Sequence, residues 1–246
     1  MRLCVILLCL QGSILHAGGV VLPRSSKKHS QALSGFDTII CGGSVRLHLD
    51  GKHAGVVKKN HDHVFTKVER GVLLLDGDKR KGYKTDVVLG RDALRRVKTL
   101  KVADSCQVEG DALKMPFFAL YSHTKGSIRL RGEFGTYKLF QEGSNHVDMY
   151  WLHARDMDID VHDGRLQLAG IGQRVRVKLS GKSRVDLRYL RSKKMWLLAT
   201  DKSRVDVFGG KRLISYARGS AKIISHGIPK EVSDMSHDKG VLLYKR

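Results

Sequence analysis

Ser183-Arg184-Val185-Asp186-Leu187 decides the fold, because it returns twenty residues later as Ser203-Arg204-Val205-Asp206-Val207. Both stretches alternate polar and apolar residues. Val185 and Leu187 therefore share one face of a strand, and Arg184 and Asp186 the other. A turn cluster precedes each strand, Gly181-Lys182-Ser183 in the first and Asp201-Lys202-Ser203 in the second. Working outward, the unit recurs with apolar anchors at Val108, Ile128, Val147, Leu166, Val185, Val205 and Ile223, in steps of 20, 19, 19, 19, 20 and 18 residues. A second apolar column runs eight residues ahead of the first, through Leu100, Leu120, Leu139, Val177 and Leu197, with Ile159 and Ile214 slipped by one place. A fixed period in this range means stacked copies of one supersecondary unit. The prediction is an all-β chain, a right-handed parallel β-solenoid of about seven coils behind an N-terminal antiparallel β region. A β-sandwich would not hold one residue pattern in register across seven units.

The start of the chain reads differently. Arg2 precedes the apolar run Leu3-Cys4-Val5-Ile6-Leu7-Leu8-Cys9-Leu10, and small residues follow from Ala17. A basic start, a short apolar stretch and a small residue at a cleavage point describe a secretory signal over 1–17. The run is too short to span a bilayer, and no later segment of the mature chain could do so. Residues 18–34 read as a polar linker. The domain then covers 35–246, as a leading β region over 35–95, repeats over 96–227 and a terminal cap over 228–246. Cys41 and Cys106 remain in the exported chain, either as a disulfide or as two small core residues. The chain carries 45 Lys+Arg against 24 Asp+Glu, a net charge of +21. Loss of Arg2 with the signal leaves +20, since 1–17 holds no acid. Such a field attracts polyanions.

In the leading region Val45, Leu47 and Leu49 share a strand face, and Asp50-Gly51 reads as a hairpin turn. Val64-Phe65-Thr66-Lys67-Val68 and Val72-Leu73-Leu74-Leu75 flank a second turn at Arg70-Gly71. Val241-Leu242-Leu243-Tyr244 reads as a strand closing the last coil. The order of pieces resembles the putative auto-transporter adhesin head GIN-domain family, a group of exported bacterial domains. The resemblance rests on Phe36-Asp37-Thr38-Ile39-Ile40 with Gly43 to Leu49, on the hairpin from Val64 to Leu75, on Leu94 to Val102, on the repeat from Leu179 to Leu187, and on Ile224-Ser225-His226-Gly227-Ile228-Pro229-Lys230. It implies a solenoid head, exported to the periplasm or cell surface of a bacterium. It supplies no catalytic residue.

Stacked coils turn a sequence period into a surface column. Arg155, Arg174 and Lys193 lie eight residues after three successive anchors. With Arg176 and Lys194 they form the expected polyanion-binding patch, for an anionic glycan, lipopolysaccharide or another polyanion. Arg184 beside Asp186, and Arg204 beside Asp206, read instead as a surface ladder of ion pairs. Aromatic residues make up 7% of the chain, too few for a reader of stacked bases. No cofactor, metal site or catalytic group is expected, and no protein partner is indicated. Asn60-His61-Asp62-His63 offers two imidazoles, too few for zinc. Ala169-Gly170-Ile171-Gly172 lacks the strand–helix setting of a phosphate loop. The function expected is an exported, non-enzymatic, adhesin-like binding module of the cell envelope. The alternatives are a solenoid polysaccharide lyase or hydrolase using acids among Asp156, Asp158, Asp160, Asp186 and Asp206, and a structural envelope protein.

Overall fold

The computed structural model describes residues 35–54, 58–59, 64–78 and 85–245. The expected signal, the linker and the Asn60 to His63 cluster lie outside them. Of the described residues 73% are in strands and 2% in helix, wound into a β-solenoid of about eight turns. In chain order the first strands are β1 (Thr38–Gly42), β2 (Val45–Asp50), β3 (Lys58–Lys59), β4 (Val64–Glu69), β5 (Val72–Gly77) and β6 (Thr85–Gly90). The short helix α1 (Arg91–Leu94) and β7 (Thr99–Asp104) lead to five long strands. These are β8 (Gln107–Thr124), β9 (Ser127–Glu142), β10 (His146–His162), β11 (Arg165–Ser180) and β12 (Arg184–Ala199). The stack continues through β13 (Arg204–Phe208), β14 (Arg212–Ala217), β15 (Lys222–His226), β16 (Glu231–Asp234) and β17 (Val241–Lys245).

The anchors stack as the repeat requires. Leu47, Val108, Ile128, Val147, Leu166, Val185, Val205, Ile223 and Leu242 pair in succession through parallel ladders. Alternation turns each anchor inward, and the seven from Val108 to Ile223 are buried. Each coil covers its neighbour's apolar layer, so the core is one continuous column. The second column runs from Ile39 through Leu100, Leu120, Leu139, Ile159 and Val177 to Leu197. It then departs from expectation. Ser215, not Ile214, stacks on Leu197. Leu213, Ser215 and Ala217 point inward, so alternation forces Ile214 outward. The buried Ser215 hydroxyl donates to Asp234 at 2.7 Å, which satisfies it.

The leading region holds the expected hairpin. β4 and β5 pair antiparallel through Arg70 and Gly71, both at positive φ (48° and 78°), as a two-residue hairpin turn demands. It also supplies a coil that sequence reading did not count. β1 lies parallel between β5 and β7, and β2 lies parallel between β6 and β8. The first coil laid down is therefore flanked by two later ones. Asp50-Gly51 is not a hairpin, because both β6 and β8 pair with β2 in parallel. β3 adds antiparallel to β6. Cys41 and Cys106 form a disulfide that bolts β1 to the turn before β8, across a separation of 65 residues.

The turn clusters are less solvated than their composition suggests. The residues two places before the anchors, Cys106, Asn145, Ser183, Ser203 and Ala221, are buried. Backbone bonds link this corner from coil to coil: Arg165 N–H donates to Asn145 O, Arg204 N–H to Ser183 O, and Lys222 N–H to Ser203 O. The serine hydroxyls donate to nearby carbonyls, Ser183 to Val161 at 3.0 Å and Ser203 to Thr200 at 2.7 Å. Small polar side chains thus fill a tight corner while satisfying backbone acceptors that water cannot reach.

Candidate functional site

The long strands are not regular along their length. β10 bulges between Met149 and Leu152, and β12 gains a residue opposite β11 between Gln167 and Ala169. These bulges decide which charged residues stack. The expected line of Arg155, Arg174 and Lys193 is broken. Arg174 pairs with Asp156 on one side and Lys194 on the other, and Lys194 with Arg212, which pairs with Glu231. The residues one place earlier on each coil are Arg155, Gln173, Lys193, Lys211 and Lys230. Arg155 and Lys193 therefore share a column, and Arg174 stands in the next.

Arg174 and Arg176 belong to a ladder of opposite charges. Arg174 grips Asp156 with Nε at 2.5 Å and Nη2 at 2.8 Å. Arg176 reaches Asp158 at 3.4 Å, and Lys178 reaches Asp160 at 3.6 Å. Hydrogen bonding from Arg174 holds the Asp156 carboxyl below the ordinary range, against the opposing push of desolvation. The three alternating acids thus face three cations of the next coil. Among the described residues no group of three His, Cys, Asp or Glu side chains could hold a metal ion. Lys194 sits 4.2 Å over the Trp196 ring.

The anchor strand carries a different arrangement. Arg165, Arg184, Arg204 and Lys222 are exposed, on four consecutive coils, and stack in unbroken register. With Lys202 they line a groove of about 570 Å³. Asp186 and Asp206 lie along the same groove, one above the other. Asp186 is not held by Arg184, as the alternation suggested, but by Arg188, with Nη2 at 2.6 Å. Asp206 is held by Arg204 at 2.9 Å and faces His226 at 2.9 Å. Arg188 hydrogen bonding holds the Asp186 carboxyl low. At Asp206 burial pushes upward, and bonding to Arg204 and His226 outweighs it. Arg165, Arg184, Lys202 and Lys222 meet no carboxylate within ion-pair distance among the described residues.

At the bulges the solenoid exposes large apolar side chains. Trp151 is 76% exposed at φ 63°, a left-handed conformation that a bulky residue rarely adopts. Tyr189, beside the β12 bulge, follows at 62%, and Phe208, at the end of β13, is 44% exposed. The signal for these positions was present in the unequal coil lengths, since each extra residue must bulge somewhere.

Three crystal structures share this architecture. One is of a protein named "putative adhesin" from Parabacteroides merdae, 15% identical, with a TM-score of 0.74 over 87% of this chain and 93% of that one. The second, a "putative lipid binding protein" from Parabacteroides distasonis, is 16% identical, with a TM-score of 0.71 over 87% and 94%. The third, a "putative adhesin" from Bacteroides fragilis, is 13% identical, with a TM-score of 0.60 over 87% and 94%. At these identities the likeness is one of fold. Among curated proteins none matches the chain in sequence. The family described as "putative auto-transporter adhesin, head GIN domain" matches residues 35–229, and the chain belongs to it.

Proposed function

We propose that the chain is an exported, non-enzymatic binding module of the bacterial cell envelope, periplasmic or at the surface. It holds an acidic polymer, such as a surface glycan or the polysaccharide of lipopolysaccharide, along Arg165, Arg184, Arg204 and Lys222. The observation that carries this reading is the stack itself. Like charges directly opposite on neighbouring strands are destabilising, and coils lie about 4.8 Å apart. A polymer bearing carboxylates, sulfates or phosphates along that line offsets the repulsion and releases counterions. The Cys41–Cys106 disulfide fits an oxidising compartment, and the run after Arg2 fits export. Relatives named for adhesion and for lipid binding favour binding over catalysis.

The stacked pair Asp186 and Asp206 is the best geometry available to the enzyme alternative. A retaining glycosidase needs one carboxyl raised to act as an acid. Both are held low instead.

Heparin and polyphosphate are suitable probes, measured at low and at physiological salt. Binding should weaken as salt rises. It should fall roughly tenfold or more in the R165A/R184A/K222A variant, since exposed ionic contacts are worth up to about 1 kcal/mol each. Absence of binding at low salt, or indifference to the triple substitution, overturns the reading. Shortening of a polymer that stops in Asp186→Asn replaces it with the enzyme.

A further inference from the structure

A second surface lies beside the polymer groove and differs from it in kind. At one edge stand Trp151 and Tyr189, beside the bulges, and Phe208, at the end of β13. Four residues beyond Trp151 begins the column Arg155, Gln173, Lys193, Lys211 and Lys230. Between edge and column, the outward row is His153, Ile171 and Arg191, paired in succession. Ile171 is itself 53% exposed. The whole strip is one short strand segment wide, roughly 13 Å at about 3.3 Å per residue. A shallow groove of about 470 Å³, lined by His153, Ile171, Arg191, Lys193 and Lys211, runs across it.

Two features set the strip apart. Arg155 meets Asp156 at 3.3 Å, but the other cations are unneutralised: Arg191, Lys193, Lys211 and Lys230 have no carboxylate within ion-pair distance among the described residues, and the two outward rows contain no acid. Its apolar side chains are large and include an isoleucine. A sugar platform needs acceptors as well as donors beside its rings, and Gln173 and His153 are the only side-chain acceptors in these rows, since lysine and arginine donate only. Aromatic rings and aliphatic groups interleaved with lysine and arginine match a layer that is anionic outside and apolar just beneath. Exposed apolar groups rimmed by charge mark such contacts. The left-handed backbone at Trp151 is what turns that ring outward.

We propose that this strip seats the protein on an anionic lipid surface, with Trp151, Tyr189, Phe208 and Ile171 entering the headgroup boundary and Lys193, Lys211 and Lys230 meeting lipid phosphates. The polymer groove lies on a different strand face and is left open. The seat does not depend on what fills it.

Vesicle co-sedimentation of the full chain tests this, using phosphatidylcholine alone and an equal mixture with phosphatidylglycerol. The mixture should bind the protein and phosphatidylcholine alone should not. The K193A/K211A/K230A variant should lose on the order of 100-fold in partitioning, at about 1 kcal/mol per cation near the surface. Trp151→Gly, which suits the left-handed backbone, should weaken partitioning while keeping the fold. The protein has 2 tryptophans, so Trp196→Phe leaves Trp151 as the single reporter, and its emission should shift to the blue on the mixed vesicles. No binding to the mixture, full binding by Trp151→Gly, or no emission shift overturns the proposal. So does loss of heparin binding in Trp151→Gly without any vesicle binding, which would make the strip part of a glycan site. Soluble polyphosphate should not shift Trp151 emission; if it does, the strip binds free phosphate. R165A/R184A/K222A should partition like the parent, so failure of the polymer groove and failure of the lipid seat are distinguishable.

Discussion

Asp186 stands directly beside Asp206 on the neighbouring coil, and each carboxylate is neutralised from a different direction. Arg188 closes on Asp186 from its own strand, and Arg204 with His226 closes on Asp206. The groove is therefore less cationic than its arginine column suggests. Asp186→Asn removes one repulsive charge and releases Arg188. Heparin affinity at low salt should rise by roughly threefold to tenfold, as expected for one surface charge interaction of about 1 kcal/mol. Unchanged affinity in a titration would place the polymer elsewhere.

The same carboxyl gives a pH dependence of fixed sign. The pKa of Asp186 is lowered in the folded state, chiefly by the Arg188 hydrogen bond. Its contribution to stability is complete above the ordinary carboxylate pKa of about 3.9 and is lost as pH falls through the lowered value. The stability gap between the parent and Asp186→Asn, measured by denaturant unfolding, should be constant from pH 7 to about 5 and close below about pH 4. A gap that widens in acid contradicts the sign.

The disulfide closes a loop spanning 65 positions. The chain-entropy relation for a loop of that length gives about 4 kcal/mol. Cys41→Ser/Cys106→Ser should lose roughly that much in guanidinium unfolding. Protection of β1 and β7 amides against hydrogen exchange should fall first. Equal loss along the whole stack would show that the bond does not act locally.

Tyr137 is fully buried, and its hydroxyl has the Met149 sulfur as its partner at 2.8 Å. A thioether is a weak acceptor, so little is recovered for the hydroxyl's lost water. Tyr137→Phe should keep its ring contacts with Phe118 and Phe134 and change stability by less than about 1 kcal/mol. A larger loss in thermal unfolding would mean that the hydroxyl matters more than its partner suggests.

The bulge makes opposite demands of two neighbours. Gly170 has φ 146°, and a Cβ there would sit 2.1 Å from Leu152 O, so Gly170→Ala should cost roughly 2–3 kcal/mol. Trp151→Gly relieves a left-handed backbone and should stay within about 1 kcal/mol of the parent. The reverse order in chemical unfolding would refute the bulge geometry.

The solenoid was legible because its determinant is periodic. Val185 and Val205 sit in matching local patterns and stack as that pattern requires. What escaped is what periodicity averages away. One extra residue in β10 and one in β12 separated Arg174 from Arg155 and Lys193, and no residue type marks a bulge. Ser183 and Ser203 read only as turn residues, yet they are buried because the corner has room only for a small side chain that bonds to backbone. The β1–β2 coil escaped for another reason: its partners β5 and β6 are distant in sequence and follow no repeat spacing.

A stack of parallel coils has no natural end, since the last ladder of one molecule could receive the first of another and fibre growth would follow. At the β5–β6 end this chain forbids that. β4 covers β5 and β3 covers β6, both running antiparallel. An incoming coil must run parallel to dock in register, and it meets strands that point the wrong way. The hairpin through Arg70 and Gly71 is thereby a terminator of polymerisation. A solenoid so terminated at one end stays as separate molecules rather than growing into filaments.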